Sequence, residues 1–125
     1  MANVLTMNPA TGLALGRIAI GVGALASPDL ASKLFRLDGP NNPQLPYMTR
    51  MFASREIALG AVTLVAKGAA RRKLVALGIF VDGADAFAGY DAMRTGSVTN
   101  SVGIGLTAPA LGAVIAGGIA LATDR

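Results

Sequence analysis

The chain has 125 residues, 53% of them hydrophobic and 14% charged, with a formal net charge of +4. A soluble domain carries roughly a quarter charged residues, so this composition, with a mean hydropathy of +0.55, points to one integral membrane domain. Cysteine and histidine are both absent, which excludes disulfides, thiol nucleophiles, zinc–thiolate centres and imidazole acid–base chemistry.

The first apolar segment covers about residues 9 to 26 and holds one charge, Arg17. The first sixteen residues carry no charged side chain, so the basic start of a leader peptide is missing and a retained helix is expected. "SPD" at 27–29 ends this segment and offers Ser27 as an N-cap with Pro28 at the first helical position. The following stretch, to about residue 37, sets Leu30, Leu34, Phe35 and Leu37 on one side with Lys33 and Arg36 reaching outward. That pattern predicts a short amphipathic helix in the membrane interface. "DGPNNPQLP" then breaks any helix repeatedly.

The second apolar segment, about 47 to 66, carries Arg50, Arg55 and Glu56. "KGAARRK" follows, and its Lys67, Arg71, Arg72 and Lys73 read as a basic turn on the cytoplasmic side. Both termini are then expected inside. The third segment, about 74 to 93, holds Asp82, Asp85 and Asp91. The fourth, about 102 to 122, lies in an uncharged run long enough to cross a bilayer at roughly 20 residues per span. The expected fold is all-α: a four-helix transmembrane bundle with a short interfacial helix between its first two spans. A compact soluble bundle is the alternative, but the fourth segment lacks the polar face that a surface helix needs.

Charges inside such helices call for partners. At 1.5 Å rise per residue, Arg17 and Asp82 both lie about 12 Å from one membrane face, and Arg55, Glu56 and Asp85 about 15 to 16 Å. Arg50 and Asp91 both lie about 24 to 26 Å from that face. The matching depths predict an ion network of opposite-sign layers: Arg17 with Asp82, Arg55 with Asp85 or Glu56, and Arg50 with Asp91. Pairing keeps aspartates ionised, which favours a structural lock over a proton relay.

Close helix packing is expected at Gly12, Gly16, Ala19 and Gly23, and at Ala108, Gly112 and Ala116, where small residues recur near every fourth position. "RIAIGVGAL" at 17–25 echoes "EIALGAVTL" at 56–64, and neighbouring spans run antiparallel, so the echo has the form of an inverted repeat. Tyr47, Phe52, Phe87 and Tyr90 suit an aromatic belt at one interface. "GIG" at 103–105 lacks the strand and third glycine of a nucleotide loop.

The order of these features resembles a family of small four-helix actinobacterial membrane proteins, domain of unknown function 4267. The resemblance rests on "GRIAIGVGALASPDLASKLFRLDGPNNPQLPYMTRMFASREIALG" at 16–60 and "DGADAFAGY" at 82–90. It implies a four-helix membrane fold and brings no activity or site residues with it. The expected role is a non-catalytic membrane subunit or scaffold, homo-oligomeric or accessory to a larger complex. A small transporter or channel component using the Arg/Asp positions is the alternative. No catalytic residue, metal ligand or cofactor is indicated. The expected partners are membrane lipids and a protein or second copy, with no nucleic acid, because the basic residues form no stripe.

Overall fold

Prolines and polar caps set where the helices begin. In the computed structural model, which describes residues 8–123, every regular element is helical: α1 Pro9–Ala26, α2 Pro28–Leu34, α3 Leu45–Val65, α4 Gly68–Arg94 and α5 Asn100–Thr123. Asn8 caps α1 by accepting from the Ala10 N–H at 2.8 Å, with Pro9 in the first turn, where its missing donor costs nothing. Pro46 sits in the first turn of α3 in the same way, so that helix starts at Leu45 rather than 47. The Thr99 hydroxyl accepts from the Val102 N–H at 3.3 Å, and α5 correspondingly begins two residues before 102.

Two boundaries depart further from expectation. The short helix α2, expected at the interface, stops at Leu34, not 37, because Arg36 takes the left-handed conformation at φ 57°. The Leu37 N–H then bonds the Ser32 carbonyl and the Arg36 N–H the Lys33 carbonyl, closing a Schellman cap without glycine. At the other end, Lys67 is the only member of the expected basic turn outside a helix. Arg71, Arg72 and Lys73 belong to α4, which starts six residues earlier than 74. Alanine, arginine and lysine are strong helix formers, and Gly68 at φ 59° supplies the sharp reversal that lets the helix start at once.

α1 packs along α3, and α4 along α5, each pair antiparallel; α1 also touches α5, while α3 and α4 meet less closely. Ala10, Val75 and Ala120 pack together at the end holding the α3–α4 turn, joined by Ile79 and Leu121. At the opposite end the Arg36 guanidinium bonds the Ser101 carbonyl and hydroxyl at 3.1 and 2.7 Å, tying the α2–α3 loop to the start of α5. The four long helices therefore run up and down, with residues 8 and 123 at the same end.

The buried seams repeat every three or four residues: Ala10, Ala14, Arg17, Gly21 and Ala24 on α1, and Val75, Gly78, Asp82, Ala86 and Gly89 on α4. They consist of small and charged residues. Among the described residues no large side chain is fully buried, whereas Ile20, Val22, Phe80, Phe87, Ile104 and Ile115 are more than half exposed.

The α1–α3 crossing is nearly symmetric. A Cβ on Gly21 would meet Ile57 Cγ1 at 2.6 Å and the Ala53 carbonyl oxygen at 2.7 Å; one on Gly60 would meet the Ala14 carbonyl oxygen at 2.7 Å and Ile18 Cγ1 at 2.8 Å. These contacts exchange equivalent positions of the two echoed stretches. The echo is thus a local two-fold crossing that only glycine permits.

Among the described residues two helices, α1 and α5, are long and apolar enough to cross a membrane. The charges of α3 and α4 set those two apart.

Candidate functional site: an interhelical ion network

The middle of the bundle holds five charges from three helices. Arg17 on α1 donates through Nη1 to Glu56 Oε2 and to Asp82 Oδ1, both at 3.0 Å, and through Nη2 to Asp82 Oδ2. Arg55 on α3 donates through Nη1 to Asp85 Oδ1 at 3.2 Å. Its Nη2 reaches Asp85 Oδ2 at 2.6 Å and Glu56 Oε1 at 3.1 Å. Glu56 therefore bridges the two guanidiniums, and each aspartate is held by two bonds from one arginine. Such bidentate geometry is the strongest form of the guanidinium–carboxylate contact.

Local helix geometry puts these groups together. Asp82 and Asp85 are three residues apart on α4 and so share a face. Arg55 and Glu56 point about 100° apart, which lets one face α4 and the other α1. Gly78 lies one turn before Asp82, and a Cβ there would meet Arg17 Nη2 at 2.7 Å. The missing side chain is the space in which the guanidinium lies. Gly78 is thus part of the site, and its signal in the sequence was a glycine four residues before a buried acid.

The network is graded in exposure. The side chains of Arg17, Asp82 and Glu56 are 7%, 7% and 6% exposed, whereas Arg55 and Asp85 are 39% and 34% exposed. Arg55 also lies 5.1 Å from the Phe52 ring centroid, a cation–π contact that joins Phe52 to the ion cluster. Tyr47, Phe87 and Tyr90 are exposed.

Other expected members fall elsewhere. Arg50 and Asp91 do not pair: Arg50 points at the Leu25 carbonyl, 3.5 Å from Nε, and Asp91 binds Arg94 one turn along its own helix at 2.5 Å. Equal depth did not bring the two together: Arg50 turns to α1 and Asp91 to its own helix. The packing stripe expected at Gly12, Gly16 and Gly23 faces outward, as do Ala108 and Gly112, and Ala116 is half-buried. No atom lies within 4 Å of a Cβ built on Gly16, Gly23 or Gly112. Close contacts within the chain are made instead at Gly21, Gly60, Gly78, Gly89, Gly103 and Gly117.

Carboxylate oxygens of Glu56, Asp82 and Asp85 all lie within 4.8 Å of one another, a spacing that suits a metal ion. Guanidinium donors already occupy these acids, and two arginines leave a surplus of one negative charge. Nearby hydroxyls turn back on their own helices: Thr63 donates to the Leu59 carbonyl and Ser54 to the Arg50 carbonyl. A cleft of about 540 Å³, lined by residues including Arg36, Asp38, Thr99 and Val102, opens between the end loops, away from the network. The arrangement binds α1, α3 and α4 to each other through charge-assisted bonds.

Fold and site together define an all-helical chain organised around a buried interhelical ion network. No protein-family model, curated protein or solved structure matches it.

Proposed function

We propose that this chain is a small four-span integral membrane protein that acts as a non-catalytic subunit or scaffold. The observation that carries the reading is the inverted distribution of side chains. Large apolar groups cover the outside, while small residues and ion pairs fill the inside. Water would expel such a surface, and hydrocarbon accepts it. The core helix of a soluble protein is mostly buried, but only 11% of the apolar window of α5 is buried, and 28% of that of α1. Pairing of Arg17, Arg55, Glu56, Asp82 and Asp85 lowers the cost of carrying α3 and α4 through the bilayer with them.

Lys67, Arg71, Arg72 and Lys73 gather at the end shared by residues 8 and 123, which favours that end on the cytoplasmic side. Alkaline carbonate washing and flotation of membranes test the reading. The chain should stay with the lipid; release as a monodisperse soluble protein would overturn it. Purification in mild detergent with mass spectrometry of what remains bound then identifies an accessory partner.

A second reading, a transporter or channel component, is favoured by the one uncompensated negative charge of the network. It requires proton or cation flux in liposomes that Glu56→Gln abolishes.

A further inference from the structure

The bundle is least closed between α3 and α4. These helices are joined by a two-residue turn and touch little elsewhere, so the bonds from Arg55 to Asp85 span the opening. Arg55 is ten residues from the end of α3, about 15 Å, which in the four-span reading is the middle of a hydrocarbon core about 30 Å thick. There its side chain is 39% exposed and that of Asp85 34% exposed. Asp85 uses two of the roughly four acceptor sites of a carboxylate. Lipid tails offer neither donors nor acceptors, so a charged pair left at this depth calls for a polar cover.

We propose that the cover is a second copy of this chain, in a parallel two-fold dimer through the α3–α4 face. The inference rests on the membrane reading and deepens it by naming the partner and the surface. Two copies inserted in the same orientation are related by an axis along the membrane normal, and such an axis leaves the depth of every residue unchanged. Arg55 and Asp85 lie at one depth because they bond each other. Rotation therefore sets a guanidinium and a carboxylate opposite their counterparts, and Arg55 reaches the partner subunit's Asp85 while Asp85 receives the partner subunit's Arg55. A patch carrying one positive and one negative group side by side is self-complementary under this operation, as an isologous interface requires. Apolar side chains extend the same face: Met48, Met51 and Val62 lie on the flank of α3 that holds Arg55, and all three are exposed.

The chain has no cysteine, so single-cysteine variants report neighbours without background. In washed membranes a short bis-maleimide should link Met48→Cys and Val62→Cys into dimers, since the two-fold sets α3 of one copy against α4 of the other and leaves each α3 residue across the axis from its own copy. Val22→Cys on α1 and Ile115→Cys on α5 should remain monomeric. Adding Arg55→Gln or Asp85→Asn should lower cross-linking at Val62→Cys by about tenfold, the loss of one charge-assisted contact. Membrane-retained protein that stays monomeric at both Met48→Cys and Val62→Cys would overturn the dimer and assign the face to lipid or a different subunit. Equal cross-linking at Val22→Cys or Ile115→Cys would also overturn it, by placing the contact on another face. Loss of the chain during the carbonate wash would instead remove the membrane reading on which the dimer rests.

Discussion

Arg17 serves two acids, so removing it and removing its partner have different consequences. Arg17→Met leaves Asp82 buried with no donor and one guanidinium to balance three carboxylates. Breaking a buried pair in this way costs about 3 to 5 kcal/mol. The double variant Arg17→Met/Asp82→Asn removes the orphan charge and restores the original surplus of one. Its melting temperature in detergent should lie above that of Arg17→Met alone. A double variant no more stable than the single one would mean that Asp82 does not depend on Arg17. Gly78 gives a second residue-level contrast. Alanine is the better helix former by about 1 kcal/mol, and at Gly83, where nothing lies within 4 Å of an added Cβ, Gly83→Ala should be neutral or stabilising. At Gly78 the same methyl meets Arg17 Nη2 at 2.7 Å, so Gly78→Ala should destabilise by about 1 to 3 kcal/mol. Equal melting temperatures for the two variants would show that the guanidinium does not need that space. The sequence made the Arg17–Asp82 layer legible because residue depth follows from counting along a helix. It hid Glu56's second bond, to Arg17, because depth says nothing about direction around the axis.

Direction is also what separated the legible from the hidden at the level of the helices. Five helices in order could be read from prolines, caps and loop residues, since these act within a turn. Which glycines face a neighbour could not. An amphipathic soluble helix marks its inner face by hydrophobicity, but these helices are apolar all round and that cue is silent. A chain with sixteen glycines then offers four-residue spacings on several faces, and Gly12–Gly16 turned out to point away from the bundle. The more specific cue was the echo between 17–25 and 56–64, because its two glycines sit at the symmetric crossing of α1 and α3. Gly60→Leu should push α1 off α3, since the Ala14 carbonyl oxygen at 2.7 Å is backbone and has little room to yield. Gly16→Leu, with open space, should leave the monomer's fold intact. Gel filtration and thermal melting in detergent separate the outcomes, and a Gly60→Leu protein as stable as Gly16→Leu would rule the crossing out.

The whole molecule divides more naturally between its halves than within them. Residues 8–66 contain the tightly packed α1–α3 pair and residues 68–123 the α4–α5 pair, joined by the α1–α5 contact, the end cluster and the ion network. On the proposed four-span reading, helices are stable singly in the membrane before they associate, so each half should insert without the other. Association then depends on contacts that cross the divide, and the only charged ones in the middle of the bundle among the described residues run from Arg17 to Asp82 and from Arg55 to Asp85. Fragments 1–66 and 67–125, co-expressed with a tag on one alone, should therefore co-purify in mild detergent. Asp82→Asn in the second fragment should cut recovery of the untagged half by about tenfold or more, because Arg17 loses its bidentate partner and about 1.4 kcal/mol corresponds to each tenfold. An exposed substitution such as Phe80→Ala in the same fragment should leave recovery unchanged. If Phe80→Ala separated the halves and Asp82→Asn did not, the outer apolar surface rather than the ion network would be what holds the two pairs together.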